Sequence, residues 1–123
     1  MSAVKTILYI EDNQDNRTLV RRLLKASGYQ MVEAPTAQAA MEYLQANVPD
    51  LILMDINMPD IDGYTLTHQI KNRPALAHTP IIAITANVMK GDREKSLSSG
   101  CDDYIEKPID VDRFISQIES YLK

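Results

Sequence analysis

Cysteine is nearly absent from this sequence, and tryptophan is absent altogether. Cys101 has no second thiol to pair with, so the chain contains no internal disulfide. Long apolar runs are missing as well, since no stretch approaches the roughly 20 residues that a membrane-spanning helix needs. Residues 1–5 lack the basic and then apolar order of a secretory signal. These absences are typical of a reducing compartment, and we expect a cytoplasmic protein that has no membrane partner.

An excess of positive charge is also missing. Lysine and arginine together number 13 against 17 acidic residues, and the formal net charge is -4. A nucleic-acid surface needs clustered cations to neutralise phosphates, so we expect no nucleic acid as a partner. The 123 residues are 45% hydrophobic, which is enough to build a core. The length suits one domain spanning residues 1–123.

Short apolar segments alternate with amphipathic segments along the chain. The apolar segments predict five strands, at 7–10, 30–33, 51–54, 81–84 and 103–105. Five alternations of strand and helix predict an α/β fold with a parallel sheet covered by helices on both faces. We expect a doubly wound, flavodoxin-like sheet in the order 2-1-3-4-5.

The amphipathic segments predict five helices. Gly28 is placed to end the first helix, and Thr36 is placed to cap the second. Pro74 follows the end of the third helix. The fourth helix, at about 90–99, is polar and weakly patterned, and Asp110 is the candidate cap of the fifth.

Polar side chains follow four of the predicted strands. Because the carboxyl ends of parallel strands meet at one edge of the sheet, we expect these side chains to lie close together at the reversal of strand order. They are Glu11 and Asp12 after the first strand, Asp55 at the end of the third with Asn57 beyond it, Thr85 at the end of the fourth, and Lys107 after the fifth.

This set of residues indicates phosphoryl transfer. Three carboxylates in one crevice repel one another unless a cation lies among them, and carboxylate oxygens with room for water suit Mg²⁺. The ammonium group of Lys107 suits a phosphate oxygen. Asp55 is then the candidate nucleophile, which would form an aspartyl-phosphate.

Each residue also has a simpler interpretation. Glu11 and Asp12 are acids that favour the start of a helix, and Asp55 begins a stretch rich in turn-forming residues. Thr85 is a β-branched strand residue, and Lys107 is of the type usually found at a solvated surface. These simpler interpretations would all have to hold at once, at four strand ends on one side of the sheet. A functional site formed by these residues is therefore the favoured interpretation.

Four blocks of sequence resemble the receiver family of two-component signalling, the CheY-like superfamily. They are YIEDN at 9–13, LILMDINMPDIDG at 51–63, PIIAITA at 80–86 and GCDDYIEKPI at 100–109. The resemblance covers essentially the whole chain, and four blocks in this order are a specific signature. The blocks EDNQDNR at 11–17 and ITANVMKGDREKSLSSGCDDYIEKPI at 84–109 further resemble receivers of hybrid histidine kinases and stand-alone single-domain response regulators.

The resemblance implies a role for each acid. Asp55 is implied to be the phosphoacceptor. Asp12 and Asp55 are implied to bind Mg²⁺ through their side chains, and Asn57 through its backbone carbonyl. Glu11 is implied to reach the metal through water.

Further roles implied by the resemblance concern switching. Thr85 is implied to bond one phosphoryl oxygen and Lys107 to pair with another. Tyr104 matches the aromatic that rotates inward when Thr85 moves. The bond between Lys107 and Pro108 is expected to be cis, so that the lysine is directed back into the crevice.

The function implied is a phosphorylation-dependent signalling switch rather than an enzyme with a metabolic substrate. We expect the phosphoryl group to come from a phosphohistidine on a histidine kinase or a histidine phosphotransfer protein. No output domain is expected, so the signal should leave through contacts with a downstream protein target. The expected surface comprises 89–99, Tyr104 and 112–117.

Three other functions fit the sequence less well. A phosphohydrolase that forms an aspartyl-phosphate commonly carries a second acid two residues after the nucleophile, where this chain has Asn57. A dinucleotide-binding module needs a glycine-rich turn after the first strand, and residues 11–16 contain no glycine. A scaffold that binds partners without phosphorylation is disfavoured by the complete set of acids.

Overall fold

The computed structural model describes residues 4–59, 61–86 and 92–122. The strands are β1 Thr6–Ile10, β2 Gln30–Ala34, β3 Leu51–Asp55, β4 Ile81–Thr85 and β5 Asp103–Glu106. The helices are α1 Gln14–Ala26, α2 Ala37–Leu44, α3 Gly63–Lys71, α4 Asp92–Ser98 and α5 Phe114–Glu119. A short 3-10 helix, Pro74–Leu76, follows α3. Within the described residues, none of the helices is long and apolar enough to cross a membrane.

All five strands form one parallel sheet in the order β2-β1-β3-β4-β5, which confirms the predicted topology. β3 ends at Asp55 and β4 ends at Thr85, the polar residues at which these two strands are predicted to end. Asp55 pairs with Ile84, and Thr85 pairs with Glu106. Strand pairing therefore continues through Asp55 and Thr85. This pairing fixes the backbone that carries each of these functional side chains.

The core lies on both faces of the sheet because successive side chains of a strand point to opposite sides. Leu8 and Ile10 of β1 pack on the face covered by α2 and α3. Ile7 and Tyr9 pack on the other face, which α1 and α5 cover. Every residue of β3 and β4 is buried, as expected for central strands covered by helices on both sides.

Side-chain caps and a glycine set the ends of the first two helices. Thr36 accepts a hydrogen bond from the Ala39 backbone N–H at 3.0 Å, which confirms it as the cap of α2. Asn13 caps α1 by accepting from the Asn16 N–H at 2.9 Å. Gly28, with φ at +85°, follows α1 in a conformation that glycine adopts without steric cost.

The prediction that Asp110 caps α5 is wrong in its register. The helix begins at Phe114, and the residue at its N-cap position, Arg113, makes no side-chain capping hydrogen bond. Asp110 instead caps the turn that precedes the helix, where its carboxylate accepts from the Asp112 N–H at 3.0 Å. Its carbonyl also accepts from the Phe114 N–H at 2.9 Å, so the turn leads directly into α5.

Lys71 joins three segments at the edge of the sheet opposite to the carboxyl ends of the strands, and we call its contacts with Thr79 and Asp102 the lysine staple. Lys71 at the end of α3 donates to the Thr79 carbonyl at 2.6 Å and to the Asp102 carboxylate at 3.1 Å. The same oxygen of Asp102 accepts from the Ile81 N–H at 2.8 Å. The ends of α3 and of the segment before β5 are thus tied to the beginning of β4.

Candidate functional site

Three carboxyl groups meet at the carboxyl end of the sheet. Glu11 and Asp12 follow β1, and Asp55 is the last residue of the neighbouring strand β3. One oxygen from each of the three groups lies within 4.8 Å of the other two. Glu11 and Asp55 are buried, whereas Asp12 is exposed to solvent. The acids predicted from the strand ends therefore form one cluster with an open side.

Lys107 reaches this cluster from the end of β5. Its ammonium Nζ lies 3.1 Å from Glu11 Oε1 and 3.4 Å from Asp55 Oδ1. The Lys107 backbone N–H donates to the Thr85 carbonyl at 2.8 Å, which holds the lysine next to β4. The following peptide bond, to Pro108, is cis, in agreement with the prediction.

The electrostatics of the cluster are dominated by Glu11, which has no solvent exposure. Burial, and then the hydrogen bond and charge of Asp55, raise the pKa of Glu11 to about 7. Glu11 Oε1 accepts from Asn16 Nδ2 and from Lys107 Nζ. Its second oxygen, Oε2, is buried and has no hydrogen-bond partner among the described residues.

This donor set fits a hard divalent cation. A buried oxygen without a partner costs free energy, and a hydrated cation would satisfy it. Burial is the main cause of the raised pKa of Glu11, and a cation would also offset the smaller contribution from the charge of Asp55. Mg²⁺ takes oxygen ligands, keeps several waters and uses one or two carboxylates, which matches two buried acids beside one exposed acid.

Asn57 lies on the turn after β3. Its backbone N–H donates to Asp55 Oδ1 at 3.0 Å, and its side chain is exposed. Together with Lys107, this contact gives Asp55 Oδ1 two neighbouring donors. The turn therefore fixes the Asp55 side chain at the mouth of the crevice.

Thr85 and Tyr104 lie on the same face of the sheet. Tyr104 pairs with Ala83, and Thr85 is two residues beyond Ala83 on β4, so both side chains lie on the face of the sheet that carries Ala83. Thr85 is buried, whereas Tyr104 is half-buried and places its hydroxyl 3.4 Å from Glu106. The two predicted switch residues are thus diagonal neighbours between the acid cluster and the surface.

The model of the response regulator receiver domain family matches residues 7–119. The chain belongs to this family. Among curated proteins, it is 44% identical over 118 residues to the polar-differentiation response regulator DivK of Brucella ovis. The match covers 96% of each chain.

Solved receiver structures have the same fold. The receiver domain of a sensor histidine kinase from Pseudomonas aeruginosa PAO1 is 33% identical, with a TM-score of 0.88 and 98% of each chain covered. That structure has a magnesium ion coordinated in its active-site cleft. A histidine-kinase receiver from Syntrophus aciditrophicus is 32% identical, with a TM-score of 0.88, and the match covers 97% of this chain and 90% of that one.

As a receiver, the protein is a phosphorylation-dependent switch of two-component phosphorelay signalling. Receivers exchange signals with histidine kinases or phosphotransfer proteins and with downstream targets. The sheet order and the family match together support this signalling role over a dinucleotide-binding fold.

The site contains three residues that the strand-end pattern did not identify. Asn16 and Arg17 of α1 contact Glu11, the first at its carboxylate and the second, at 2.9 Å, at its backbone carbonyl. Gly63 at the start of α3 lies against the backbone of Ile56. The sequence signal available for Asn16 was its position on the first turn of a helix that begins directly after the acid pair.

Proposed function

We propose that Asp55 of this receiver accepts a phosphoryl group from a phosphohistidine on a histidine kinase or a histidine phosphotransfer protein in the cytoplasm. The observation that carries the proposal is the pairing of a buried carboxylate with an ammonium group 3.4 Å away, at the mouth of an acid cluster. Asp55 Oδ attacks phosphorus, the phosphorus–nitrogen bond breaks, and the histidine nitrogen leaves with the electron pair. The product is an aspartyl-phosphate.

Asp12, Asp55 and the backbone carbonyl of Asn57 would hold Mg²⁺, with Glu11 bound through water. When bound, Mg²⁺ offsets negative charge on the transferring phosphoryl group. Lys107 is 3.1 Å from Glu11 and 3.4 Å from Asp55, within reach of an oxygen on the same group. Thr85 would donate its hydroxyl to another phosphoryl oxygen. These residues let the receiver promote its own phosphorylation and dephosphorylation by positioning and charge.

The test is incubation of the protein with acetyl phosphate and Mg²⁺, followed by intact-mass measurement. We expect a gain of at most one phosphoryl group per chain, which disappears when EDTA removes the metal. A phosphohydrolase would instead release phosphate from simple phosphate esters over many turnovers. Sustained turnover of such esters would contradict the switch and support the phosphohydrolase.

Mg²⁺ is expected to bind without any phosphodonor, and Asp12→Asn is expected to weaken that binding by at least about tenfold. This is the scale on which loss of even an outer metal partner acts. Because the chain has no tryptophan, calorimetry or NMR amide shifts are the suitable measurements. Asp15→Asn is the matched control, since Asp15 is an exposed acid of the first turn of α1. Equal affinities for the Asp12 variant and wild type would remove Asp12 from the metal site.

We further propose that the signal leaves through the face formed by α4, β5 and α5. An open cavity of about 390 Å³ lies along β5 and α5, and its lining includes Tyr104, Lys107 and Gln117. Lys107 thus borders this cavity while its ammonium group contacts the acid cluster. α4 has few apolar anchors among its described side chains, since Leu97 is exposed, so it should shift at low cost. The predicted surface at 89–99 is described only from residue 92, and 89–91 lie outside the described residues.

Beryllofluoride, a mimic of the phosphoryl group, is expected to change the NMR shifts of Tyr104, of Asp92–Ser98 and of 112–117 when Mg²⁺ is present. The reason is that Thr85 moves toward the mimic and Tyr104 fills the space beside it, which biases an existing equilibrium. Residues of α2, which lie away from this face, serve as the internal control. Changes confined to residues next to Asp55 would exclude this output surface.

A further inference from the structure

Glu11 is a fully buried carboxylate whose hydrogen bonds depend on two donors. Both Asn16 Nδ2 and Lys107 Nζ donate to the same oxygen, Oε1. Buried carboxylates need such donors because they have lost the hydrogen bonds of water. Glu11 therefore relies on one neutral donor and one charged donor.

The charged donor is shared between two acids. Lys107 Nζ contacts Asp55 at 3.4 Å as well as Glu11 at 3.1 Å. Under the proposed function, the lysine pairs with an oxygen of the phosphoryl group on Asp55. The ammonium group has three hydrogens, but movement of Nζ toward the phosphoryl group would lengthen its contact with Glu11 and leave Oε1 without its charged donor.

Asn16 is held in a position from which it can donate a hydrogen bond to Glu11 whether or not Lys107 does so. Its backbone N–H is fixed by the Asn13 cap at 2.9 Å. In a capping box, a Glu or Gln at this helical position turns back to the N-cap backbone N–H, whereas the side chain of Asn16 turns to the Glu11 carboxylate. The next residue, Arg17, donates to the Glu11 backbone carbonyl at 2.9 Å and contacts Glu33 at 3.4 Å. Two consecutive residues of α1 thus hold both the side chain and the backbone of Glu11.

We propose that Asn16 is a positioning residue that keeps a hydrogen-bond donor on Glu11 while Lys107 turns to the phosphoryl group. The inference rests on the proposed function of Asp55 and Lys107 and adds a role for α1. Without Asn16, release of Lys107 leaves Glu11 buried with neither donor. Formation of the phosphorylated state then carries a cost that the resting state does not.

The test compares two affinities of Asn16→Ala, one for Mg²⁺ alone and one for beryllofluoride in excess Mg²⁺. Loss of a hydrogen bond to a charged group is expected to weaken beryllofluoride binding by about tenfold or more. The affinity for Mg²⁺ alone is expected to change by less than about threefold, since Lys107 still donates to Glu11 in that state. NMR titration measures both affinities and also reports whether the variant is folded.

Two further variants make the result specific. Asn16→Asp keeps the shape of the side chain but removes the donor and adds a fourth acid, so it should weaken beryllofluoride binding more than Asn16→Ala does. It also serves as the test if the alanine variant does not fold. Gln14→Ala, an exposed change in the same helical turn, should leave both affinities unchanged.

The outcomes distinguish failure of the proposed function of Asp55 from failure of the proposed role of Asn16. If wild-type protein binds no beryllofluoride and takes no phosphoryl group, the proposed function of Asp55 fails. If wild-type protein binds it and both Asn16 variants bind it equally well, Asn16 has no positioning role. An equal loss of both affinities in Asn16→Ala also overturns the inference, because it marks a general structural effect.

Discussion

Asp55→Asn is expected to lose all phosphorylation by acetyl phosphate while keeping its fold. Asparagine occupies nearly the same volume but offers no carboxylate oxygen to attack phosphorus. The substitution also removes one of three mutually repelling carboxyl groups, and Lys107 keeps Glu11 as a partner at 3.1 Å. We therefore expect a variant that is as stable as wild type or more so. Intact-mass measurement with Mg²⁺ present determines the phosphorylation, and thermal unfolding determines the stability.

Asp50→Asn is the matched control for this experiment. Asp50 precedes β3, whereas Asp55 ends it, so the same chemical change is made at the two ends of one strand. The Asp50 carboxylate accepts from the Thr6 N–H at 2.8 Å, and an asparagine oxygen can still accept there. Full phosphorylation is expected in this control. Full phosphorylation of the Asp55 variant would mean that another residue is the acceptor.

Gly63→Ala is expected to lower the free energy of unfolding by about 3 kcal/mol, with a fall of roughly 10 °C in the melting temperature. A Cβ at Gly63 would lie 2.6 Å from the Ile56 Cα and 3.0 Å from the Asp55 carbonyl oxygen. Both are backbone atoms, so neither can turn aside as a side chain does. The turn after β3 must move, and phosphorylation of Asp55 should fall together with stability.

Gly28→Ala is the comparison variant for Gly63→Ala, because it measures the cost of an unfavourable backbone conformation without any close approach of neighbouring atoms. Gly28 has a φ of +85°, but no atom lies within 4 Å of the Cβ that alanine would add. Only the cost of a left-handed alanine remains, about 1 kcal/mol. Thermal or denaturant unfolding of both variants gives the comparison. A smaller effect at Gly63 than at Gly28 would show that the turn after β3 accommodates the extra carbon.

Sheet order and the acid cluster were predictable from sequence because both depend on pattern. Buried parallel strands appear as short apolar runs, and the residue that follows each run lies at a known edge of the sheet. Asp55 and Lys107 therefore met as predicted, although they are far apart in the chain. β3 and β4 end at Asp55 and Thr85 as predicted, and pairing with the neighbouring strand holds both residues in the sheet.

The remaining features depend on contacts that no local pattern encodes. Gly63 has no positive φ, so its requirement for glycine comes from the close approach of Asp55 and Ile56. Asn16 on α1 is an ordinary polar helix residue until α1 packs beside Glu11. Asp110 has the right chemistry for a cap but serves the turn before α5, because the chain continues for three residues before the helix forms.

The lysine staple at the far edge of the sheet anchors the chain just beyond the C-terminal end of α4. The C-terminal end of α4 leads through Gly100 and the buried Cys101 to Asp102, which Lys71 and the Ile81 N–H hold in place. Gly100, with φ at +111°, packs so closely that a Cβ there would lie 3.2 Å from the Lys71 side chain. We therefore expect a displacement that begins at the phosphorylated edge to rotate α4 about this anchored C-terminal end.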